Sequence, residues 1–189
     1  HISDLHIGKQ LYSYSLLPDQ RAVLHEITVR AKEYHPDTIL IAGDVVNKKE
    51  DRTEVAVSVC RQLVEIAPVY CGIGNHEGNM MYVNGRRVDS LLREVGAKVL
   101  INQSEDIVVQ DTAVSVGSVS TSVLDYDEYS APFVAEFEQK DTLKILIAHC
   151  PDLFYEKMAD VNVGLSVAGH FHGGQVRLPV GGGVYAIGQ

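Results

Sequence analysis

Short apolar runs punctuate this chain, and each one stops at a polar residue of the kind that binds metal ions. Thr38-Ile39-Leu40-Ile41-Ala42, Val69-Tyr70-Cys71-Gly72-Ile73, Leu143-Lys144-Ile145-Leu146-Ile147-Ala148 and Val163 to Ala168 are each five or six residues long. That is strand length, and near-continuous hydrophobicity suits strands buried on both faces. The runs end in Gly43-Asp44, Gly74-Asn75-His76-Glu77, His149 and Gly169-His170-Phe171-His172. Ile2-Ser3-Asp4-Leu5-His6 reads as the tail of a further strand, with Asp4 and His6 on one side by the period of two. Ligands of α/β sheets gather at the carboxyl ends of strands. Buried Asp and His are costly unless paired or bound to metal. These endings are therefore expected to meet in one site.

Composition narrows the partners. The 189 residues, 46% hydrophobic and 22% charged, suit a single α/β domain over residues 1–189 with a full core. The chain starts at His1 rather than Met, and its first and last elements read as trimmed. No apolar run approaches the roughly 20 residues of a membrane span, and no signal peptide is visible. The expectation is a soluble domain, with localisation left open because an upstream segment could tether or export it. A formal net charge of −9 argues against nucleic acid as partner, since that needs a basic face. It leaves room for a small phosphorylated substrate, because metal ions supply positive charge locally. Cys60, Cys71 and Cys150 are odd in number and lack CxxC spacing, so they read as small buried hydrophobes.

Helical periodicity fills the intervals. Val23, Ile27 and Tyr34 mark a helix closed by His35-Pro36-Asp37. Val55, Val59, Leu63 and Ile66 mark an inward face over Asp51 to Ile66, and Val88, Leu91, Leu92 and Val95 mark another helix. A short strand is expected over Lys98 to Ile101, two β-runs around the turn Asp111-Thr112, a short helix from Asp152, and a hairpin in the glycine-rich tail. Asp125-Tyr126-Asp127-Glu128-Tyr129 reads as a solvated loop. His25 and His35 read as ordinary surface or packing histidines.

The candidate ligands decide the chemistry further. Asp4, His6, Asp44, Asn75, His149, His170 and His172 form a mixed nitrogen and oxygen set without thiolate. Such a set suits Mn, Fe or Zn better than an all-oxygen Ca or Mg cage. Seven side chains exceed one tetrahedral zinc but suit two adjacent metals sharing a carboxylate. Two metals about 3.5–4 Å apart are a recurring solution for in-line attack at phosphorus.

The ordered set Asp4-x-His6, Gly43-Asp44, Gly74-Asn75-His76-Glu77, His149 and Gly169-His170-x-His172 resembles the five signature blocks of the calcineurin-like metallophosphoesterases. The resemblance implies a four-layer α/β/β/α sandwich, two mixed sheets flanked by helices, with the site on one edge. It implies two divalent or trivalent metal ions, Asp4, His6 and His172 on one, Asn75, His149 and His170 on the other, and Asp44 bridging. A hydroxide between the metals would attack phosphorus, with Asp44 and His76 as catalytic residues. His76 would protonate the leaving oxygen, a role for an imidazole near neutral pKa.

Departures narrow the branch. Asn47, Lys48 and Ile73 stand where protein Ser/Thr phosphatases of this superfamily carry Asp, Arg and Arg, so the phosphoprotein clamp is absent. Lipid A precursor pyrophosphatases place Arg where His76 stands. The ending Gly169 to Pro179, Ala148-His149-Cys150-Pro151-Asp152 and Gly96 to Asn102 are most similar to the bacterial YkuE-like branch, with Phe171 replacing the usual Thr. The resemblance thus implies hydrolysis of small phosphomonoesters, diesters or pyrophosphate-linked molecules, lipid-linked ones included, with no obligate protein partner. A nuclease of the same superfamily is disfavoured by the acidic charge. A catalytically silent scaffold is disfavoured by the survival of every ligand and of His76. Substrate choice is expected to lie in the loops Lys9 to Leu17, Gly78 to Arg87 and Val123 to Tyr129.

Overall fold

Strand β1 (Ile39–Ala42) is buried along its whole length, and its side chains serve two different cores. Ile39 and Ile41 face one core; Leu40 and Ala42 face the other. A computed structural model describes residues 1–5, 20–47, 53–119, 126–171, 176–178 and 182–185. Among them β1 pairs in parallel with β2 (Val69–Gly72), which pairs in parallel with β3 (Lys98–Val99). The N-terminal stub joins the same sheet. The Ile2 N–H donates to the Leu40 carbonyl at 2.8 Å, and the Ala42 N–H to the Ile2 carbonyl at 2.8 Å.

A second sheet is mixed. β4 (Gln103–Val109) and β5 (Thr112–Ser118) form an antiparallel hairpin whose turn residues Gln110 and Asp111 have φ of 46° and 66°. Positive φ at both turn positions matches the twist of the flanking strands. β5 then pairs in parallel with β6 (Leu143–Ile147), and β6 with β7 (Leu165–Val167). A separate ribbon joins β8 (Val176–Leu178) to β9 (Gly182–Tyr185).

Three cores separate four layers. Leu63, Val69, Val88 and Leu92 belong to the core between the first sheet and helices α1 (Gln20–Tyr34), α2 (Thr53–Val64), α3 (Asn75–Tyr82) and α4 (Val88–Glu94). Leu40, Ala42, Tyr70, Val116 and Ile147 fill the space between the sheets. Val134, Phe137, Leu146 and Leu153 join the second sheet to α5 (Ala131–Phe137) and α6 (Asp152–Glu156). This is the α/β/β/α sandwich that the resemblance implies, with the second sheet mixed and the described strands of the first all parallel. Among the described residues, no helix is long and apolar enough to cross a membrane.

Several elements differ from their sequence reading. Val23 and Tyr34 of α1 are exposed, and the buried face runs instead through Leu24 and Thr28. Thr28 tolerates burial because its hydroxyl donates to the Leu24 carbonyl at 3.0 Å. Leu91 is also exposed on α4. The stretch Gly78 to Arg87, expected to be a loop, is helical as far as Tyr82, because α3 starts at Asn75. Helix α5 was not legible as a periodic pattern, although Pro132 in its first turn is a helix-start signal. Tyr126 to Ser130 forms a π-helical turn with Tyr126 and Ser130 buried, so only part of the acidic stretch is solvated. His25 and His35 are exposed, and Cys60 and Cys71 are buried.

Two expectations follow. Leu146 is 0% exposed whereas Val108 is 73% exposed. Leu146→Ala should cost about 2–5 kcal/mol in denaturant unfolding, and Val108→Ala within roughly 0.5 kcal/mol; equal losses would refute the assignment. Asp89 accepts from Arg87 Nε and Nη2 at 3.0 Å each and from Arg93 Nη1 at 2.7 Å. The Arg87 hydrogen bond leads in holding its carboxyl below the ordinary value, outweighing burial. A depressed folded-state value means the contribution exists above the unfolded carboxylate range, near 3.9, and vanishes as pH falls through the folded one. The melting-temperature gap between wild type and Asp89→Asn should therefore be widest near pH 6 and close toward pH 3; a constant gap would contradict it.

Candidate metal centre

Parallel register sets where the site lies. The pairs Ala42 with Gly72, Ser118 with Ile147, and Ile147 with Val167 align the strand ends. The residues that follow are Gly43-Asp44, Gly74-Asn75, Ala148-His149 and Gly169-His170. Both sheets thus deliver polar residues to one edge.

The backbone there is unusual. Asp4, Asp44 and His170 have φ of 55°, 53° and 70°, in the left-handed region that costs non-glycine residues of order 1–3 kcal/mol each. Gly43 (φ +84°) makes room for the neighbouring turn: a Cβ there would lie 2.5 Å from the Gly74 nitrogen. In return, a Cβ on Gly74 would lie 2.1 Å from Asp44 Oδ1. The two turns approach this closely because neither Gly43 nor Gly74 carries a Cβ.

The side chains converge across this contact. His149 Nδ1 lies 2.6 Å from the Ala42 carbonyl. A carbonyl only accepts, so Nδ1 carries the proton and Nε2 points into the site. Nε2 lies 3.1 Å from Asn75 Oδ1 and 3.3 Å from Asp44 Oδ2. His170 Nδ1 lies 3.1 Å from the same Asn75 oxygen, and Asp44, His149 and His170 offer donor atoms within 4.8 Å of one another. Atoms about 2.1 Å from a shared ion at tetrahedral or octahedral angles stand about 3.0–3.4 Å apart. The set therefore fits a first-row metal, and the His149–Ala42 bond is the outer contact that usually orients a ligating imidazole.

Neighbouring groups complete the edge. Asp44 Oδ1 accepts the His76 N–H at 2.9 Å, and His76 Nε2 lies 3.9 Å from Asp44 Oδ2. The Asp4 carboxylate accepts the His170 N–H at 2.9 and 3.0 Å, which bends the His170 turn toward the first sheet. Asp4 thus borders the cluster. His6 and His172, with the Lys9 to Leu17 loop, lie outside the described residues. Glu77, quoted in a sequence block but given no role there, is 1% exposed and accepts three backbone N–H bonds. Its position three residues after Gly74, the residue before the helix, was the readable signal.

The ionisable groups of this edge act strongly on one another. Burial pushes the Asp44 carboxyl up, but the His149 hydrogen bond and charge, with help from His76, hold it below its ordinary value. Burial pushes His149 down, and the Asp44 bond and charge more than reverse this. Burial, then the His149 charge, lowers His170. Burial, then the Asp44 charge, raises Glu77 against its three amide bonds. Cys150, beside His149, is pushed up to about 12 by burial and then by Asp152, Asp44 and Asp4.

With this geometry in place, the similarities to known proteins are informative. The profile of a family described as calcineurin-like phosphoesterase matches residues 1–174. The phosphodiesterase YaeI of Escherichia coli is 30% identical over 98% of this chain and 64% of its own length. The uncharacterized metallophosphoesterase YkuE of Bacillus subtilis is 26% identical over 94% of this chain and 58% of its own. The chain thus spans about three fifths of the length of these relatives. The solved structure of the Haemophilus influenzae NAD nucleotidase NadN superposes with a TM-score of 0.64 at 15% identity, covering 98% of this chain and 46% of that one. That likeness concerns the fold.

The close glycine contact makes the site sensitive to one carbon atom. Gly74→Ala should displace the Asp44 carboxylate and weaken Mn²⁺ binding at least about tenfold. Isothermal titration of both forms checks this, and unchanged affinity would show that the turns have slack.

Proposed function

Because the chain belongs to the calcineurin-like phosphoesterase family, we propose that it hydrolyses phosphoesters, small phosphodiesters foremost, at a two-metal centre. The observation that carries this reading is a convergence from both sheets: Asn75 Oδ1 lies 3.1 Å from both His149 Nε2 and His170 Nδ1, and His149 Nε2 lies 3.3 Å from Asp44 Oδ2. Asn75, His149 and His170 would hold one ion, Asp4, His6 and His172 the other, and Asp44 both. When bound, two Mn, Fe or Zn ions supply Lewis acidity toward the phosphate oxygens and the attacking water.

The chain's own groups do the rest. The His76 N–H holds one Asp44 oxygen at 2.9 Å, leaving the other to face His149. The Ala42 carbonyl keeps the His149 proton on Nδ1, so Nε2 presents its lone pair. The His76 side chain is 15% exposed and meets the edge at Nε2, where it hands a proton to the leaving oxygen. Phe171, its ring centroid 5.6 Å from that of His170, offers an apolar wall to an organic substituent. The name phosphodiesterase carried by one relative supports the diester as substrate class. Pyrophosphate-linked molecules and lipid phosphodiesters present the same phosphorus chemistry.

Hydrolysis of bis-p-nitrophenyl phosphate tests the proposal. Chelation should abolish turnover and added Mn²⁺ restore it. His76→Ala should lower kcat about 10²–10⁴-fold with the metal content unchanged. Metal-independent turnover, or full turnover in His76→Ala, would overturn it.

A further inference from the structure

Glu77 is 1% exposed and takes no part in the chemistry just described. Its Oε2 accepts the Asp44 N–H at 2.7 Å and the Gly74 N–H at 2.9 Å, while Oε1 accepts the Val46 N–H at 2.9 Å. The carboxylate therefore ties the loop after β1 to the turn after β2, two segments about thirty residues apart. It grips the amides of Asp44 and Val46, bracketing the start of that loop, and Asp44 itself is in the left-handed region at φ 53°. Such a conformation persists only where surrounding structure over-determines it. It also grips the amide of Gly74, one residue before Asn75.

The choice of a carboxylate is informative. A role in packing alone would be served by an apolar side chain, and burying an acid is costly. Only an acceptor-only group can meet three N–H donors with two oxygens; Gln brings one oxygen and an amide whose own hydrogens oppose a donor. Hydrogen bonds to an ionised acceptor are also the strong ones. We propose that Glu77 is a positioning residue of the metal centre: its carboxylate sets the separation and orientation of Asp44 relative to Asn75 and His76. The inference rests on the two-metal reading above and assigns a residue to its geometry.

Glu77→Gln in the full chain tests it. In the metal-free protein, hydrogen exchange followed by NMR should show the amides of Asp44, Val46 and Gly74 exchanging at least about tenfold faster, with Ile41 and Cys71 still protected. Mn²⁺ affinity should fall about 10–100-fold. The EPR spectrum of the Mn²⁺-loaded form should change, a signature that lost stability alone does not produce. Unchanged amide protection, or affinity within twofold of wild type with an unaltered spectrum, would overturn the role of Glu77 and leave the two-metal reading standing. A wild-type chain that binds no Mn²⁺ overturns both. Should Glu77→Gln not fold, Glu77→Asp keeps the charge with one methylene fewer; smaller losses in the same measurements support the role, and wild-type values refute it.

Discussion

One of the hydrogen bonds that join the two halves of the site fixes the His149 tautomer. The His149 Nδ1 proton meets the Ala42 carbonyl at 2.6 Å, and the two residues end strands of different sheets. Packing between the sheets, through Leu40, Tyr70, Val116 and Ile147, is strong but non-directional, and would tolerate a small slide. The hydrogen bond does not. It aligns the edge of β6 with the edge of β1 and selects the tautomer that turns Nε2 inward. The contacts of Nε2 with Asn75 and Asp44 depend on that alignment.

Around this bond the edge is built from costly local conformations. Asp4, Asp44 and His170 carry positive φ, and Gly43 and Gly74 leave no room for a methyl group between their turns. None of these features stabilises the fold. The fully buried residues of the three cores, Leu63, Val69, Phe137, Leu146 and Leu153 among them, supply the stability that holds the edge in place. Rigid layers behind a strained rim are the arrangement a preorganised polar site requires.

Much of the site was legible because it sits where patterns change. Each apolar run announces a strand, although β7 leaves Leu165 and Ser166 exposed, and the first ligand-type residue after it announces the edge. Asp44, Asn75, His149 and His170 were readable in this way, and the structure brings their side chains together. What periodicity missed had causes outside the apolar pattern. Thr28 is buried in α1 because its hydroxyl finds a carbonyl one turn back. Helix α5 is short and packs Phe133, Val134 and Phe137 on the second sheet, so packing rather than its own pattern defines it. Asn75 opens α3, where Glu77 satisfies the Gly74 amide ahead of the helix.

By itself the sequence determined the α/β class, the strands and the identity of the edge residues, while the four-layer arrangement was implied by the resemblance of its motifs to a known family. The length and continuity of apolar runs leave few other ways to bury them, and ligand-type residues at strand ends have few other uses. Only the tertiary structure decided which atoms meet. The His149 tautomer, the shared proximity of His149 and His170 to one Asn75 oxygen, and the grip of Glu77 on three amides all cross between distant segments. Hydrogen-bond geometry over fractions of an ångström is set by how the layers pack, and one-dimensional spacing does not encode it.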